Sequence, residues 1–482
     1  DFGIYNKEGI TQININTNNT DFGDFKDLAE TQGWYKNNSF NADGFLKGNL
    51  SATLQDGLEN LTVNFITTSG TLSGKNGTKL HDVSFKGIYK LDSKNDFLNL
   101  ENITAKGKTG SLSGSLKITD FDHPLVEAQL AAQLSLDEWL VFIPSDTIEN
   151  AKGDVLVDVT FKNRFGSFQK LSPADFKYAR VKGNIEIVSS SFHFKNSQTP
   201  IKNLNGAFHF ENNNLNIERL YIKAGESDLY LDGYFGNVVN VILFKDEKLQ
   251  VKSKVKSQQI ILEDFLTEDE DNDGDYTLNN LRGHSFNLDI EIDRFKFKKV
   301  TANNIQGGLS LNHGILKAED MSFNMTGGSV KGDLTIDIAT DDSYYITANA
   351  TSNNLNIKEL FYSFDNFNQE EVTGDNLEGK ADVDISLTAR MSPTLFVDAS
   401  SVKSKANITL RDGALINYAP MLSLSRFADI DALKSIKFKQ LQNNLSIENS
   451  TLTVPNMEIR SSVLNLWLKG THTFDNNINY SL

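Results

Sequence analysis

A passage that ends in glycine occurs four times along the chain, and this repeat strongly limits the folds open to it. Counting back from Gly114, Gly233, Gly332 and Gly470, an aliphatic residue lies two places before each glycine and another lies sixteen places before it. Self-similarity of this kind is typical of repeat proteins, in which each unit packs only on its neighbours. The sequence therefore predicts a scaffold with a continuous surface rather than a compact enzyme with one pocket.

Three further elements recur around this passage in the same order. Alternating runs begin at Gly48, Gly153 and Gly379, and in the first two copies another glycine, Gly87 or Gly206, stands 27 residues before the repeat glycine. The segments QLSLDEWL, QIILEDFL and NLNIKELF close the first three copies, each with charged residues before two large apolar ones. This order predicts a leading segment over residues 1–43 and four repeat units over residues 44–147, 148–278, 279–373 and 374–482.

The periodicity indicates what the units are made of. Apolar residues stand at every second position in runs such as GDVLVDVTF and SVKGDLTIDIA, with polar residues between them. This pattern is typical of strands with one apolar and one solvated face, and frequent NN, DG and NG pairs favour an antiparallel meander. At Gly283 the alternation slips by one place, which predicts a bulge.

Helical signal is confined to a few short segments. The pieces LSLDEWLVF, IILEDFL and LNIKELFYSF each predict a short helix between repeats. One longer helix is predicted over Pro420–Ile436, with proline in its first turn.

Composition narrows the function classes. The chain has no cysteine, which excludes disulfides, thiolate metal sites and cysteine catalysis. Its net charge of −16 argues against nucleic acid as a partner, because binding to phosphates needs clustered Lys and Arg. No stretch approaches the roughly 20 apolar residues of a membrane span. Because the first residue is Asp1, we expect a mature or excised segment with any signal peptide or anchor outside it.

Candidate catalytic motifs fail on inspection. The seven histidines are dispersed, and the stretches GTLSG and GSLSG place leucine where a nucleophile elbow needs serine. GTLSGKNG is one residue short of a phosphate loop and lacks Ser or Thr after its lysine. We therefore expect that the protein is not an enzyme.

One acidic segment resembles a calcium-binding loop. Asp269, Asp271, Asp273 and Asp275 alternate around a glycine, as do the first oxygen ligands of such a loop. However, Asn280 occupies the position where a bidentate glutamate is expected. A solvated acidic linker is the favoured interpretation. The four aspartates remain weak candidates for calcium ligands.

The end of the chain resembles a known family. The stretch GALINYAPMLSLSRFADIDALKSIKFKQLQNNLSIENSTLTVPNMEIRSSVLNLWLKGTHTF resembles the C-terminal region of AsmA-like proteins. Gly413, Asn417, the Val454–Pro455 pair and Gly470 fit that pattern of a strand, a helical insert and a glycine-ended strand. The earlier units resemble the preceding repeats of the same family.

This resemblance implies a fold and a function. It implies a periplasmic protein of a diderm bacterium, anchored in the inner membrane by an N-terminal helix outside this segment. The family is similar to bridge-like lipid-transfer proteins, which carry phospholipid acyl chains in an apolar groove and support outer-membrane biogenesis. The expected fold class is all-β: an elongated repetitive antiparallel sheet curled into an open groove, with a few short helices between repeats.

The resemblance also implies the partners, and the residues themselves indicate the lining of the groove. We expect phospholipids as partners, an outer-membrane protein as a second candidate, no nucleic acid, and no cofactor other than bound phospholipid. The alternation itself, apart from the resemblance, supplies the candidate lining on the apolar strand face: Leu112, Leu116, Ile118, Leu229, Leu231, Phe235, Val330, Leu334, Ile336, Leu464, Leu466 and Leu468.

Two alternatives remain open at the level of sequence. In a structural or adhesive repeat protein the same aliphatic positions would pack against each other as a sealed core. A scaffold for the assembly of outer-membrane proteins would instead bind its partners by strand addition at an exposed sheet edge.

Overall fold

A computed structural model describes most of the chain and shows it to be built from strands. The described residues are 2–21, 40–55, 58–74, 77–92, 94–140, 148–168, 171–194, 199–244, 247–268, 276–278, 281–340, 342–368, 370, 372–422, 429–463, 465–475 and 477–481. The structure divides into two compact units. Unit 1 comprises Asp1–Lys195, Pro200–Lys223 and Asp232–Gln250, and unit 2 comprises Asn196–Thr199, Ala224–Leu231 and Val251–Leu482.

The strands follow one another with few helical interruptions. The first fourteen are β1 (Phe2–Lys7), β2 (Ile10–Asp21), β3 (Phe40–Asp43), β4 (Phe45–Leu54), β5 (Leu58–Gly74), β6 (Lys79–Asp92), β7 (Phe97–Lys106), β8 (Ser111–Thr119), β9 (Leu125–Ser135), β10 (Ile148–Arg164), β11 (Arg180–Phe194), β12 (Ile201–Glu211), β13 (Asn214–Ala224) and β14 (Ser227–Gly236). The others are β15 (Gln250–Ile261), β16 (Thr267–Glu268), β17 (Tyr276–Thr277), β18 (Ser285–Phe297), β19 (Val300–Asn312), β20 (Ile315–Met325), β21 (Gly328–Asp337), β22 (Tyr344–Asn356), β23 (Leu377–Met391), β24 (Val397–Ile416), β25 (Ser435–Glu448), β26 (Thr451–Arg460), β27 (Asn465–Thr473) and β28 (Ile478–Ser481).

Helices are short and lie between strands. The α-helices of the described residues are Leu136–Trp139, Val238–Leu243, Ile357–Ser363, Ala419–Leu422 and Ile430–Leu433. Single 3₁₀ turns cover Pro173–Phe176, Leu262–Asp264 and Gly374–Asn376.

Each unit is an open antiparallel meander. In unit 1, β5–β12 pair in chain order, and in unit 2, β18–β28 do the same. Within either unit, none of the pairings among described residues joins the first strand of its meander to the last. The predicted fold class, an open all-β antiparallel sheet with a few short helices, is confirmed. The boundaries of the four predicted repeat units stay a prediction.

The predicted helices are only partly correct. A short helix or helical turn occurs in each of the three predicted inter-repeat segments, at Leu136–Trp139, Leu262–Asp264 and Ile357–Ser363. The long helix predicted over Pro420–Ile436 is wrong, because Asp429 caps a new helix at Ile430 and strand β25 already begins at Ser435. Residues 423–428 of that prediction lie outside the described residues.

The bulge predicted at Gly283 is also wrong. Gly283 has a φ of 78° and lies before β18, which begins at Ser285. The register of β18 with β19 then runs without interruption from Phe286 to Ile292. The slip in alternation therefore reflects a turn that precedes the strand.

Close approach of neighbouring backbones explains the repeat glycines. A Cβ atom on Gly114 would lie 2.4 Å from the carbonyl oxygen of Gln129, and one on Gly332 would lie 2.2 Å from that of Asn349. Real side chains do not tolerate such distances, so only glycine fits where the strands meet this closely.

Left-handed residues mark bulges opposite these glycines. Asn102 and Asp320 both have a φ of 52°, and each lies at a register shift that precedes the partner of a repeat glycine. Asn354 has a φ of 60° at the shift between β22 and β23. Asn and Asp tolerate this conformation better than other non-glycine residues, and bulges increase the bend and twist of a sheet.

The acidic residue of the inter-repeat helix has a structural role in unit 1. Glu138 is fully buried, and its carboxylate accepts hydrogen bonds from the Ser135 backbone N–H (3.0 Å), the Ser135 hydroxyl (2.8 Å) and the Lys108 backbone N–H. It therefore joins the helix to the turn between β7 and β8. Asp264, at the equivalent place in the second copy, accepts from the backbone N–H and hydroxyl of Ser227 in the same way.

Burial defines an inward and an outward face in each unit. The inward face carries the buried apolar side chains, and the outward face carries exposed polar ones. Unit 1 contains one large inward cluster of buried residues: Leu46, Phe65, Leu80, Val83, Phe85, Tyr89, Leu98, Ala105, Leu112, Ile118, Ala132 and Leu134. Unit 2 contains smaller separate clusters: Leu311, Ile338, Tyr344 and Met391; Ile292, Ala302 and Ile305; Met325, Val330 and Leu355; and Met421, Leu433 and Ile436.

Candidate functional site

A row of side chains, apolar except for Ser404, crosses the inward face of unit 2. Strand register aligns one residue from each of the strands β18–β26. This apolar row consists of Leu288, Leu309, Ala318, Leu334, Ala348, Leu387, Ser404, Ile447 and Leu452. Since consecutive strands lie about 4.8 Å apart, the row is an uninterrupted path across the sheet.

The apolar row is incompletely covered. Ser404 is buried, but the other members are half-buried. None of them belongs to the buried clusters described for unit 2, which lie toward the strand ends and under the helices. An apolar face that stays partly accessible along its length is unusual in a sealed core and is typical of a surface that binds an apolar partner.

A second row beside it is lined by small side chains. Gly332 pairs with Ala350, Ala350 with Ile385, and Ile385 with Ala406. Because Gly332, Ala350 and Ala406 project little beyond the backbone, they leave room above the sheet between their larger neighbours. Together the two rows offer apolar area and no charged group, which suits a flexible hydrocarbon chain that needs no directed hydrogen bond.

The outward face opposite the rows is polar and carries ion pairs. The Asp382 carboxylate accepts hydrogen bonds from both terminal nitrogens of Arg411, one of them at 2.6 Å, and from the backbone N–H of Asn354 at 2.8 Å. The Arg411 guanidinium lowers the pKa of Asp382 below its ordinary value, and the Asn354 hydrogen bond adds to this. This carboxylate thus holds the Asn354 bulge to the two strands that follow it.

A shallow cavity of about 820 Å³ also lies on the outward face of unit 2. Polar and charged residues line most of it, among them Lys331, Asp333, Asn349, Asp384 and Lys405. Among the described residues, no group of three or more His, Asp or Glu side chains is placed to hold a metal ion. The charged and polar side chains of this region therefore lie on the outward face, and the uncharged rows lie on the inward face.

The described lining candidates from the sequence all lie on the inward face. Leu112, Ile118 and Val330 are buried, whereas Leu116, Leu229, Leu231, Phe235, Leu334, Ile336 and Leu468 are half-buried. Leu464 and the side chain of Leu466 lie outside the described part, as do the calcium candidates Asp269, Asp271, Asp273 and Asp275. Of the twelve candidates, Leu334 alone belongs to the apolar row, and Leu112 and Ile118 belong to the packed cluster of unit 1.

Reasoning from the repeat glycines missed most of the apolar row. Leu288 and Leu387 stand in alternating runs, FNLDIEI and DVDISLT, which the sequence already marks as strands. The alternation therefore indicated their face, but only strand register shows that they align with Leu334.

Comparison with known proteins identifies a family. The model of the AsmA family matches residues 32–457. No curated protein and no solved structure matched the chain. Among the described helices, none is long and apolar enough to cross a membrane.

Proposed function

Because the chain belongs to the AsmA family, we propose that it carries phospholipid acyl chains along the apolar row of unit 2. Membership in this family is consistent with a role in outer-membrane biogenesis or lipid transport. In this proposal the protein works in the periplasm of a diderm bacterium and moves phospholipid between the inner and outer membranes. It does so without catalysis, a metal ion or nucleic acid.

The half-buried apolar row across β18–β26 carries the proposal. Burying a methylene group contributes about 0.8 kcal/mol, so an acyl chain gains affinity by covering these side chains. Alternate strands present a leucine at the same height, namely Leu309, Leu334 and Leu387, and the strands between them present an alanine. A chain that slides from one strand to the next therefore exchanges similar contacts, and the net cost of movement is small.

Site-specific photo-crosslinking tests the proposal. A photoreactive amino acid replaces Leu334 in the apolar row, and in a matched control it replaces the adjacent Asp333, which is exposed on the outward face. Both proteins are irradiated with phospholipid vesicles, and adducts are identified by mass spectrometry. We expect phospholipid adducts at position 334 and not at position 333.

The competing interpretations give different results. Equal labelling at both positions would show that lipid contacts the surface without selecting the inward face. Absence of lipid at both, in a protein that keeps its β circular dichroism, would overturn the proposal and favour a structural repeat protein or an assembly scaffold.

A further inference from the structure

One contact in unit 2 joins two turns that are distant in the sheet. Lys298 lies in the turn between β18 and β19, and Phe396 lies in the turn between β23 and β24. The Lys298 ammonium nitrogen lies 5.5 Å from the centroid of the Phe396 ring, within the range of a cation–π interaction.

Strand register places these two turns at opposite ends of the strands. Val300 follows Lys298 closely, and the pairings of β19 with β20 and β20 with β21 put Met325 and Gly328 at that same end. The pairs Tyr344↔Met391 and Met391↔Val397 lie at the other end, next to Phe396.

The contact requires a strongly bent sheet. β18 has 13 residues, and at about 3.3 Å per residue its ends are roughly 40 Å apart in an extended strand. Two turns at opposite ends of a flat sheet would therefore not touch. Because the inward face carries the buried side chains, including the cluster around Tyr344 beside Phe396, we take the bend to be toward that face. The two turns then meet across the opening of the apolar face.

A backbone hydrogen bond fixes each of the two residues on its own side of the contact. The Lys298 backbone N–H donates to Glu263 Oε1 at 2.7 Å, and the Phe396 backbone N–H donates to the Ser392 hydroxyl at 3.1 Å. The Lys298 side chain makes no ion pair with a described residue, and its ammonium lies only beside the rings of Phe297 and Phe396. Phe396 is 56% exposed, so the contact can break without opening a core.

We propose that Lys298 and Phe396 form a reversible clasp over the apolar row of unit 2, opened when the Lys298 ammonium binds the phosphate of an entering phospholipid. This inference rests on the proposed function. A phosphate oxygen makes a charge-assisted hydrogen bond with an ammonium, which is stronger than the contact with an exposed ring. Headgroup binding at Lys298 thus removes the partner of Phe396 and gives the acyl chains lateral access to the row.

Chemical crosslinking tests the clasp, since the chain contains no cysteine of its own. The double variant Lys298→Cys with Phe396→Cys is treated with a short bis-maleimide, which joins the two ends of the strands. The matched control is Lys299→Cys with Tyr362→Cys, because Lys299 Nζ lies 5.3 Å from the Tyr362 ring at a single end of the sheet. Lipid transfer between donor and acceptor vesicles is then measured for each protein before and after crosslinking.

A variant that keeps Lys298 tests the role of the lipid phosphate separately from the crosslinking experiment. With Lys298 in place, the single variant Phe396→Cys carries an environment-sensitive aromatic thiol dye, whose ring takes the place of the Phe396 ring beside the Lys298 ammonium. Vesicles of phosphatidylethanolamine and phosphatidylglycerol should shift the dye emission, whereas inorganic phosphate at equal phosphate concentration should not, because a free ion has no acyl chains that bind the apolar row and hold its phosphate at Lys298. The same dye on Phe396→Cys combined with Lys298→Gln should respond far less to the vesicles.

The clasp predicts that crosslinking positions 298 and 396 lowers the transfer rate at least about tenfold, as expected when a gating motion is blocked. The control crosslink should leave the rate unchanged. If transfer persists after the 298–396 crosslink, or if inorganic phosphate alone shifts the dye, the clasp is overturned while the proposed function stands. If the untreated protein transfers no lipid and vesicles do not shift the dye, both proposals fail.

Discussion

The two units carry the same kind of strand meander, but their inward faces are filled differently. In unit 1 the aromatic residues Phe65, Phe85 and Tyr89 belong to one packed cluster. They are buried, with exposed fractions of 6%, 8% and 5%. In unit 2 the members of the apolar row other than Ser404 are aliphatic and half-buried, and the buried residues form separate small clusters.

Two strand glycines, one in each unit, illustrate this difference. In unit 1 the ring of Phe65 lies over Gly87, where an added Cβ would be 2.1 Å from the ring carbon Cε2. In unit 2 Gly332 pairs with Ala350, which carries no ring to cover the glycine, and the atoms nearest to an added Cβ there belong to Asn349 and Ala350. This comparison teaches that an aromatic residue opposite a glycine fills the inward face above it, whereas alanine opposite a glycine adds little to that face.

The largest expected effect tests the packing of unit 1. Phe65→Ala should lower the free energy of unfolding of unit 1 by about 3–5 kcal/mol, because it removes a buried ring and leaves a cavity above Gly87. Leu334→Ala in unit 2 should cost about 1 kcal/mol, since a half-buried side chain loses less burial. Hydrogen exchange at the amides of β6 and of β21 measures the free energy of unfolding of unit 1 and of unit 2 separately. Equal losses in the two units would contradict the comparison.

A smaller effect is expected from the carboxylate of the inter-repeat helix. Glu138→Gln should destabilise unit 1 by about 1–3 kcal/mol, because three donors meet this buried carboxylate and an amide leaves one of them unsatisfied. The matched change in unit 2 is Glu359→Gln at an exposed position, which should alter stability by about 0.5 kcal/mol or less. Chemical unfolding monitored by hydrogen exchange measures the stability of each variant. A Glu138→Gln variant as stable as the unchanged protein would exclude the role assigned to this residue.

The smallest effect is a difference in acid sensitivity between two bulges. In unit 1 the neutral amide of Asn205 accepts from the backbone N–H of Ser189, whereas in unit 2 the Asp382 carboxylate accepts from Asn354 and pairs with Arg411. Because the folded-state pKa of Asp382 is lowered, its stabilisation is complete above the ordinary aspartate pKa of about 3.9 and is lost as pH falls through the lowered value.

This half-buried surface pair contributes at most about 1 kcal/mol, so the loss should be local. Amide exchange at Asn354, compared at pH 5 and pH 2.5 after correction for intrinsic rates, should accelerate more than exchange at Ser189. In the variant Asp382→Asn that additional acceleration should disappear. Its persistence in the variant would assign the acid sensitivity to another group.

The sequence predicted the strands well because alternation depends only on local side-chain pattern. It also located the helical turns at Leu136 and Ile357 from their apolar and acidic residues. The apolar row could not be predicted, because alternation gives the face of Leu387 but not the strand residue that lies beside it. The contact of Lys298 with Phe396 depends on the bend of many strands together, and no local pattern encodes such a bend.

The apolar row also has a consequence for the way such a protein changes over evolutionary time. Leucine, isoleucine, valine and alanine can replace one another along the row while the face remains uncharged and accessible. Selection then acts on the continuity of the path, and individual positions are free to drift within one chemical class. Two proteins can therefore share this surface while sharing few identical residues.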